Sequence, residues 1–281
     1  METAIVLGTF DGLHKGHRAV IDLARGYRIV AVTFDIPPKA YFGSDSKLLM
    51  LPSDKAAGLK QLGVSEICSL KFGEVKNTSP EEFFGSLVKR FSPSLIACGF
   101  NYRFGKGAKG DTELLKTLCR EKKIEFKSAK SVGGKTPVSS SAIRALISDG
   151  KISAANEQIY GGFGFTAAVR HGDARGKGLG FPTVNQVFPD ELIVPKFGVY
   201  SSEIIIDGKS YKGITNLGVR PTYQTDFIGA ETFIKNFSGD AYGKPVTLKL
   251  KEFIRCEEKF ASREELERTV KADIKAVLGT D

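Results

Sequence analysis

The stretch VLGTFDGLHKGH, from Val6 to His17, decides the fold expected for the first half of the chain. A short apolar run ends at Leu7, a loop with three glycines follows, and two of the chain's three histidines stand at the start of the next segment. A loop between a strand end and a helix start offers unpaired backbone N–H groups and the positive end of a helix dipole, which suit a phosphate. The stretch therefore predicts a strand, a ligand-binding loop and a helix.

Strand-like and helix-like segments continue to alternate through the first half of the chain. The strand-like runs are short, apolar and rich in β-branched residues, as in strands buried on both faces of a parallel sheet, and Ser53 and Ser79 are placed to cap helices. We therefore expect a doubly wound, Rossmann-like α/β domain. Ligands of such sheets bind beyond the carboxyl ends of strands, where the loops at 8–17 and 99–110 fall.

The pattern of residues in the sequence changes near Gln158, where we place the boundary between two domains, 1–158 and 159–281. After it, β-branched runs alternate with turn signals such as Asp207-Gly208 and Tyr242-Gly243. Near the end, Ser262 precedes Glu265 at the spacing of a capping box, before a segment of helical period. The second half therefore reads as an antiparallel barrel or sandwich followed by one helix.

Composition limits the function classes. The 281 residues are 41% hydrophobic and 26% charged, without an apolar run near the roughly 20 residues that a membrane helix needs. No secretory signal is visible, so we expect a cytoplasmic protein without a membrane partner. Four scattered cysteines favour buried free thiols over disulfides. The net charge of +9 is compatible with nucleic acid or with anionic small substrates; we expect the second, and predict no oligomeric state.

The two histidines are candidate phosphate ligands. His14 and His17 can both donate hydrogen bonds to one phosphate, while Gly12 and Gly16 let the backbone approach it closely. The alternatives are a zinc pair, for which no third or fourth ligand is evident, and plain surface histidines. A second cluster, Ser139 to Ser141 followed by Arg144, also places donors and a positive charge at a helix start, although ordinary helix caps explain the serines too.

A glycine-rich loop marks the second half. The stretch from His171 to Asn185 contains four glycines, an arginine and a lysine, which suits a loop wrapped around phosphates, although a surface turn remains open. Thr183 and Asn185 stand two residues apart on a strand and therefore face the same side, where their oxygens suit Mg²⁺. Half-exposed polar residues of a strand are the alternative.

The first half resembles the adenylyltransferase domain of the bifunctional bacterial riboflavin kinase/FAD synthetase family. The resemblance rests on GTFDGLHKGH at 8–17, on SSSAIR at 139–144 and on the aromatic, glycine-rich loop at 99–110. It implies transfer of AMP from ATP to FMN, giving FAD and pyrophosphate. The implied catalytic and ATP-binding residues are Gly8, Phe10, Asp11, His14, Gly16, His17, Ser140, Ser141 and Arg144. The implied flavin-binding residues are Asn101, Arg103 and Phe104.

The second half resembles the riboflavin kinases of the same family, which fold as a six-stranded antiparallel barrel. The matching stretches are GDARGKGLGFPTVN at 172–185, GVY at 198–200, GVRPT at 218–222, ETFIKNFSGDAYG at 231–243 and FIRCEEKF at 253–260. The resemblance implies that Thr183 and Asn185 hold Mg²⁺, and that Glu231 takes the proton from the ribityl hydroxyl of riboflavin. The implied ATP-binding loop residues are Gly172, Arg175, Lys177 and Gly178.

The sequence as a whole therefore predicts a two-domain enzyme that phosphorylates riboflavin to FMN and adenylylates FMN to FAD, with ATP and Mg²⁺. Pro37, Asn101 and Asn236 depart from residues common in the family, so a chain with one working activity is the related alternative. A basic nucleic-acid-binding barrel is the alternative from a different class, and it would bind with a steep dependence on salt.

Overall fold

The computed structural model describes residues 1–43, 47–133, 137–170, 183–220 and 227–279. The chain forms two compact units, and each unit consists of two separate stretches of the chain. The first unit comprises residues 1–143 and 158–160, and the second comprises residues 144–157 and the described part of 161–281. The domain boundary at residue 158 stays a prediction; by compactness, residues 144–157 group with the second unit.

The first unit contains a parallel five-stranded sheet. Its strands, in chain order, are β1 (Thr3–Leu7), β2 (Arg28–Phe34), β3 (Glu66–Leu70), β4 (Leu95–Gly99) and β5 (Glu125–Ala129). Their spatial order is β3-β2-β1-β4-β5, and every neighbouring pair is parallel. The order reverses at β1, so the loop that leaves β1 lies at the switch point where doubly wound sheets bind ligands. The predicted doubly wound domain is confirmed.

Burial on both faces of this sheet explains the apolar strands. Ala4 and Val6 of β1 join one hydrophobic cluster, while Ile5 and Leu7, which point to the opposite face, join the other. All four side chains are almost completely buried. A strand with helices on both sides therefore needs a continuous apolar run and not an alternating one.

Helices connect and flank these strands. They are α1 (Lys15–Asp22), α2 (Pro38–Tyr41), α3 (Pro52–Gln61), α4 (Phe72–Val75), α5 (Pro80–Phe91) and α6 (Thr112–Glu121). The next helix, α7 (Ser140–Ser148), begins in the first unit and continues into the second. The helix cap predicted at Ser79 is confirmed, because its hydroxyl accepts from Glu82 N and the Glu82 carboxylate accepts from Ser79 N. The cap predicted at Ser53 is wrong. Helix α3 begins earlier, because Pro52 has a fixed φ suited to the first helical position.

The second unit contains one antiparallel sheet of six strands. They are β6 (Gly164–Ala168), β7 (Thr183–Val187), β8 (Gly198–Ile206), β9 (Lys209–Arg220), β10 (Phe227–Ile234) and β11 (Pro245–Arg255). Their order is β6-β11-β8-β9-β10-β7, so β6 and β7 are the two ends of the sheet. These ends meet at a bridge, in which Arg170 N donates to Asn185 O at 2.8 Å. The barrel expected from the family resemblance is confirmed.

The barrel has a buried interior and a partly exposed outer face. Thr215 donates to Ser202 at 2.9 Å and shares a hydrogen bond with Thr232 at 2.8 Å, so interior hydroxyls satisfy one another. Gln186, which is also buried, donates to the carbonyl oxygens of Ala167 and Val246, both at 2.8 Å. Alternate residues point outward, and this outer face of β7, β10 and β9 carries the predicted kinase residues.

Two further helices pack on the barrel. The short α8 (Ile152–Asn156) is held where Asn156 Nδ2 donates to Leu250 O at 2.8 Å. The predicted terminal helix is confirmed as α9 (Arg263–Leu278), with Ser262 accepting from Glu265 N at its start. A largely buried ion pair between Arg255 and Asp273, with a closest approach of 2.8 Å, joins α9 to β11.

All four cysteines are free thiols; Cys68, Cys98 and Cys119 are buried, and Cys256 is exposed. Burial raises the pKa of the Cys98 and Cys119 thiols to about 12. Within the described residues, every helix is too short or too polar to cross a membrane.

Candidate active sites

The loop after β1 is held in an unusual backbone conformation. Phe10, Gly12 and Leu13 all have positive φ angles, of 51°, 81° and 41°. A Cβ atom on Gly12 would lie 2.8 Å from the Leu49 side chain, so this position requires glycine for space as well as for φ. Burial of Phe10 and Leu13 stabilises the strained turn, and Asp11 Oδ1 accepts a hydrogen bond from Leu49 N at 2.9 Å. The conformation of the loop is therefore held in place by these contacts.

His14 and His17 lie at the start of α1, as predicted. His14 is the N-cap residue, and its Nδ1 atom accepts from His17 N at 3.4 Å. The two imidazole rings stack with their centroids 3.7 Å apart. Nδ1 of His17 is buried and has no hydrogen-bond partner among the described residues. A buried polar nitrogen without a partner is costly, and a bound ligand would satisfy it.

Burial keeps both imidazoles neutral. It lowers the pKa of His14 to about 4, because the charged ring would lose its hydration. The pKa of His17 is lowered well below its usual range by burial first, and then by repulsion from His14 and Lys55. Near pH 7, each ring therefore acts as a neutral group with one N–H donor.

Lys55 of α3 is a site residue that sequence reasoning missed. Its Nζ atom donates to Phe34 O at 3.2 Å and to Thr33 Oγ1 at 3.4 Å, at the carboxyl end of β2. Thr33 Oγ1 in turn donates to Thr9 O at 2.9 Å, so Lys55 lies at the same edge of the sheet as the loop that carries the histidine pair. One sequence signal was available: Lys55 precedes buried Leu59 by four residues and so lies on the apolar face of its helix.

The serines at 139–141 make different contacts. Ser139 Oγ accepts a hydrogen bond from Ala142 N at 3.3 Å, so this serine acts as an ordinary helix cap, as the alternative interpretation of the cluster predicted. Ser140 Oγ donates to Asp11 O at 3.1 Å and so ties α7 to the loop after β1. Ser141 is exposed, and Arg144 lies one turn after Ser140 on α7, within the second unit. The structure thus brings Ser140 to the histidine loop.

The loop at 99–110 is closed by a pair of backbone hydrogen bonds between Phe104 and Gly110, of 3.0 and 2.9 Å. Gly110 is required there, because a Cβ atom would lie 2.8 Å from the Phe104 ring. Phe104 is buried and packs beside Tyr102, whereas Asn101 is exposed. Arg103 forms an ion pair with Asp111 at 3.4 Å. Of the three predicted flavin ligands, Phe104 thus lies in the core.

The predicted kinase residues meet on the outer face of the barrel. Asn185 of β7 pairs in register with Glu231 of β10, which places both side chains on one face. Thr183 Oγ1 donates to Glu231 Oε1 at 2.8 Å, although the two residues are 48 positions apart in sequence. Strand register therefore creates this three-residue cluster.

Asn216 and Arg220 of β9 join the cluster, and sequence reasoning had assigned no role to either. Asn216 pairs in register with Glu231, on the side opposite Asn185. Arg220 Nη2 lies 3.5 Å from Glu231 Oε2. Its side chain passes over Gly229, where a Cβ atom would lie 2.7 Å from Arg220 Cγ. Asn216 Oδ1 and Arg220 Nη2 are both buried without a hydrogen-bond partner among the described residues.

A cavity of about 200 Å³ opens beside this cluster. Thr183, Val169 and Ile234 line it, together with residues 237–242. Asn236, just before that segment, has a φ of 57°, a conformation that asparagine and aspartate tolerate better than most residues. The predicted phosphate-loop residues Gly172, Arg175, Lys177 and Gly178 lie outside the described residues.

The donor set beside Glu231 suits a hard cation. Thr183 supplies a hydroxyl oxygen and Asn185 an amide oxygen, which are ligand types that Mg²⁺ accepts when phosphate oxygens and water complete its shell. Among the described residues, no three histidine, cysteine or acidic side chains gather closely enough to hold a metal by themselves.

The fold and the two sites define a class: a nucleotide-binding α/β unit of the nucleotidyltransferase type, joined to an antiparallel barrel with a carboxylate on its outer face. Two family models match the chain in the same order. The model described as FAD synthetase matches residues 1–142, and the model described as riboflavin kinase matches residues 162–279.

Whole-chain comparisons agree with the domain matches. The chain is 30% identical to the bifunctional riboflavin kinase/FMN adenylyltransferase of Bacillus subtilis, over 97% of this chain and 90% of that protein. It is also 30% identical to the enzyme of the same name from Listeria monocytogenes, over 91% of this chain and 85% of that one. A solved structure titled as a macrolide-efflux protein from Streptococcus pneumoniae has a TM-score of 0.89 at 30% identity, covering 100% of this chain and 95% of that one.

The chain belongs to the family of bifunctional riboflavin kinase/FMN adenylyltransferases. It is an enzyme that carries both an FAD synthetase domain and a riboflavin kinase domain.

Proposed function

We propose that the barrel converts riboflavin to FMN with one ATP, and that the α/β domain then joins AMP from a second ATP to that FMN. The observation that carries the proposal is the separation of two polar clusters, each in its own unit: the histidine pair after β1, and Glu231 with Thr183 and Asn185 on the barrel. For function, we propose domains of 1–158 and 159–281.

In the adenylylation step, a phosphate oxygen of FMN attacks the α-phosphorus of ATP, and pyrophosphate leaves. Negative charge grows on the α-phosphate and on the leaving group as the bonds change. Neutral imidazole N–H groups of His14 and His17, fixed at the helix start, would donate hydrogen bonds to that charge. Because the stacked rings and the pinned loop are already ordered, little reorganisation is needed at the moment of reaction.

The start of α7 supports the same site. Ser140 holds this helix against the loop after β1, and Ser141 and Arg144 lie on its first turns. We assign Ser140 to shaping the loop, and Ser141 and Arg144 to contacts with ATP phosphates. Gly8, Phe10, Asp11 and Gly16 form the loop backbone around these phosphates.

In the kinase step, the ribityl hydroxyl of riboflavin attacks the γ-phosphorus of ATP, and ADP leaves. Glu231 would accept the hydroxyl proton, since its carboxylate lies among partly exposed polar groups on the barrel face. Thr183 and Asn185 would hold Mg²⁺, which when bound neutralises phosphate charge. The 200 Å³ cavity beside Thr183 supports binding of part of the nucleotide there.

The flavin of the adenylylation step is proposed to lie against the loop at 99–110. Asn101 is exposed and offers both a donor and an acceptor to a flavin ring, and Arg103 offers a cation at the same loop. We assign Phe104 to holding the loop closed, because its ring is buried. The cytoplasmic location stays a prediction, which cell fractionation would test.

One experiment tests the proposed function. The full-length protein is incubated with riboflavin, ATP and Mg²⁺, and the flavins are separated by chromatography over time. FMN should appear first and FAD should follow, each in amounts matched by ADP and pyrophosphate. Supplying FMN in place of riboflavin tests the second step alone. Absence of FAD from FMN, or of FMN from riboflavin, would remove the corresponding half of the proposal.

A further inference from the structure

Lys55 provides a positive charge at the edge of the sheet where the two histidines lie. The imidazoles of His14 and His17 are both uncharged near pH 7. Burial also lowers the pKa of Lys55, while the nearby carboxylates of Asp11 and Asp35 raise it and so favour the charged form. An amine held in such a place is costly to keep charged unless an anion joins it.

The hydrogen bonds of Lys55 leave room for that anion. An ammonium group has three N–H donors, and the described residues provide two acceptors, Phe34 O and Thr33 Oγ1. Both acceptors are uncharged, and among the described residues no carboxylate forms an ion pair with Lys55. Asp35 Oδ1 instead accepts from Ile36 N at 2.7 Å and from Phe72 N at 3.1 Å.

The position of Lys55 fits a phosphate in particular. Its Nζ atom lies at the carboxyl end of β2, next to the switch point of the sheet, and it is close enough to His17 to lower the pKa of that ring. His17 in turn has a buried Nδ1 atom without a partner among the described residues. A cation and a partnerless imidazole at the same edge are complementary to an anion with several oxygens.

We propose that Lys55 is a further catalytic residue of the adenylylation step, whose ammonium contacts phosphate oxygens of a bound substrate. The inference rests on the proposed function of this unit. The anion that contacts Lys55 can come from either substrate, from the phosphates of ATP or from the phosphate of FMN, because both present the same kind of oxygen. A contact to ATP would stabilise charge on the attacked or leaving phosphate, and a contact to FMN would orient the attacking phosphate.

The test uses Lys55→Gln, Lys55→Arg and, as the matched control, Lys60→Gln on the exposed side of the same helix. Glutamine keeps N–H donors for Thr33 and Phe34 but removes the charge, so it separates a substrate contact from a structural hydrogen bond. We expect Lys55→Gln to lower kcat/KM for FAD formation from FMN about 100-fold. Lys55→Arg should lose much less, and Lys60→Gln and all FMN formation from riboflavin should be unchanged.

The substrate dependence assigns the phosphate. A rise in KM for FMN with an unchanged KM for ATP indicates the FMN phosphate, and a rise for ATP, or a fall in kcat alone, indicates the ATP phosphates. The inference is overturned if Lys55→Gln keeps FAD formation within about threefold of wild type, or if it lowers both activities equally together with the melting temperature. Failure of the wild-type enzyme to make FAD would instead refute the proposed function.

Discussion

Single residues at the histidine loop owe their chemical state to burial. His14 is only 8% exposed, and the loss of hydration lowers its pKa to about 4, which no sequence motif could indicate. The H-x-G-H spacing predicted that the two rings would act together, and their stacking on one helix turn agrees with that. The spacing could not indicate that both rings are neutral. A positive charge to pair with a bound phosphate must therefore come from another residue.

The buried, neutral state of His14 predicts a pH-dependent stability. The unfolded chain has a histidine pKa near 6.5 and the folded chain has a lower one, so this contribution to stability is present above pH 6.5 and is lost as pH falls toward 4. Linkage gives a loss of about 2 kcal/mol between pH 7 and pH 5. His14→Asn, which keeps an N-cap acceptor but does not titrate, should lack this loss.

Urea denaturation followed by circular dichroism at pH 7 and pH 5 measures the difference. The control is wild type at each pH, because both proteins carry all the other titratable groups. Parallel losses of unfolding free energy in wild type and His14→Asn would contradict the assigned state of His14.

Asn185 allows the metal assignment to be tested at a single oxygen. Asn185→Ala removes one amide oxygen beside Glu231, so the kinase step should need about tenfold or more Mg²⁺ for half-saturation. Asn185→Asp retains an oxygen ligand and should stay close to wild type in its Mg²⁺ requirement. FMN formation is measured across a Mg²⁺ titration, with FAD formation from FMN as the internal control. Equal half-saturation for the alanine variant and wild type would exclude Asn185 as a ligand.

Secondary structure elements were the most predictable level. Apolar, β-branched runs indicated the strands of the first unit because each is buried on both faces, and Asp207-Gly208 indicated the β8–β9 hairpin because both residues adopt a positive φ. Contacts that depend on how elements pack were not predictable. Lys55 reaches the end of β2 only once α3 is in place, and Asn216 joins Glu231 only through the register of β9 and β10.

One interior side chain of β7 forms hydrogen bonds across the seam of the barrel. Gln186 donates two hydrogen bonds across the seam, to Ala167 O of β6 and to Val246 O of β11. Gln186→Leu fits a similar volume but leaves a buried carbonyl group and a partly buried one without these donors, which should cost about 2–4 kcal/mol of local stability. Asn185→Ala, on the outer face of the same strand, is the matched control and should cost much less.

Hydrogen exchange read by mass spectrometry measures this effect in the intact chain. Peptides that cover β6 and β7 should exchange faster in Gln186→Leu, while peptides of the five-stranded parallel sheet should be unchanged. Unaltered exchange at the seam would show that the barrel closes without Gln186.

At the scale of the whole molecule, the pattern of apolar runs and turn signals distinguished the two halves, because a parallel sheet and an antiparallel barrel bury their strands differently. The residues of the proposed kinase site were grouped by resemblance and not by spacing, since Glu231 and Thr183 are 48 positions apart. As a strand carboxylate in the sequence, Glu231 carries no sign of catalysis. Its proposed catalytic role depends on the residues that strand pairing places beside it, Asn185 on one side and Asn216 on the other.

If each unit performs one step, a change at Glu231 should separate the two activities. Glu231→Gln keeps the volume and an oxygen that accepts from Thr183, but it cannot take the hydroxyl proton. FMN formation should therefore fall about 10²–10⁴-fold, riboflavin binding followed by flavin fluorescence should persist, and FAD formation from FMN should be unchanged. Glu203→Gln is the matched control, because Glu203 is a barrel carboxylate engaged with Lys251 and Ser210. Retention of more than about a tenth of the kinase rate at saturating substrate would exclude Glu231 as the base, since losing a general base should cost at least tenfold more.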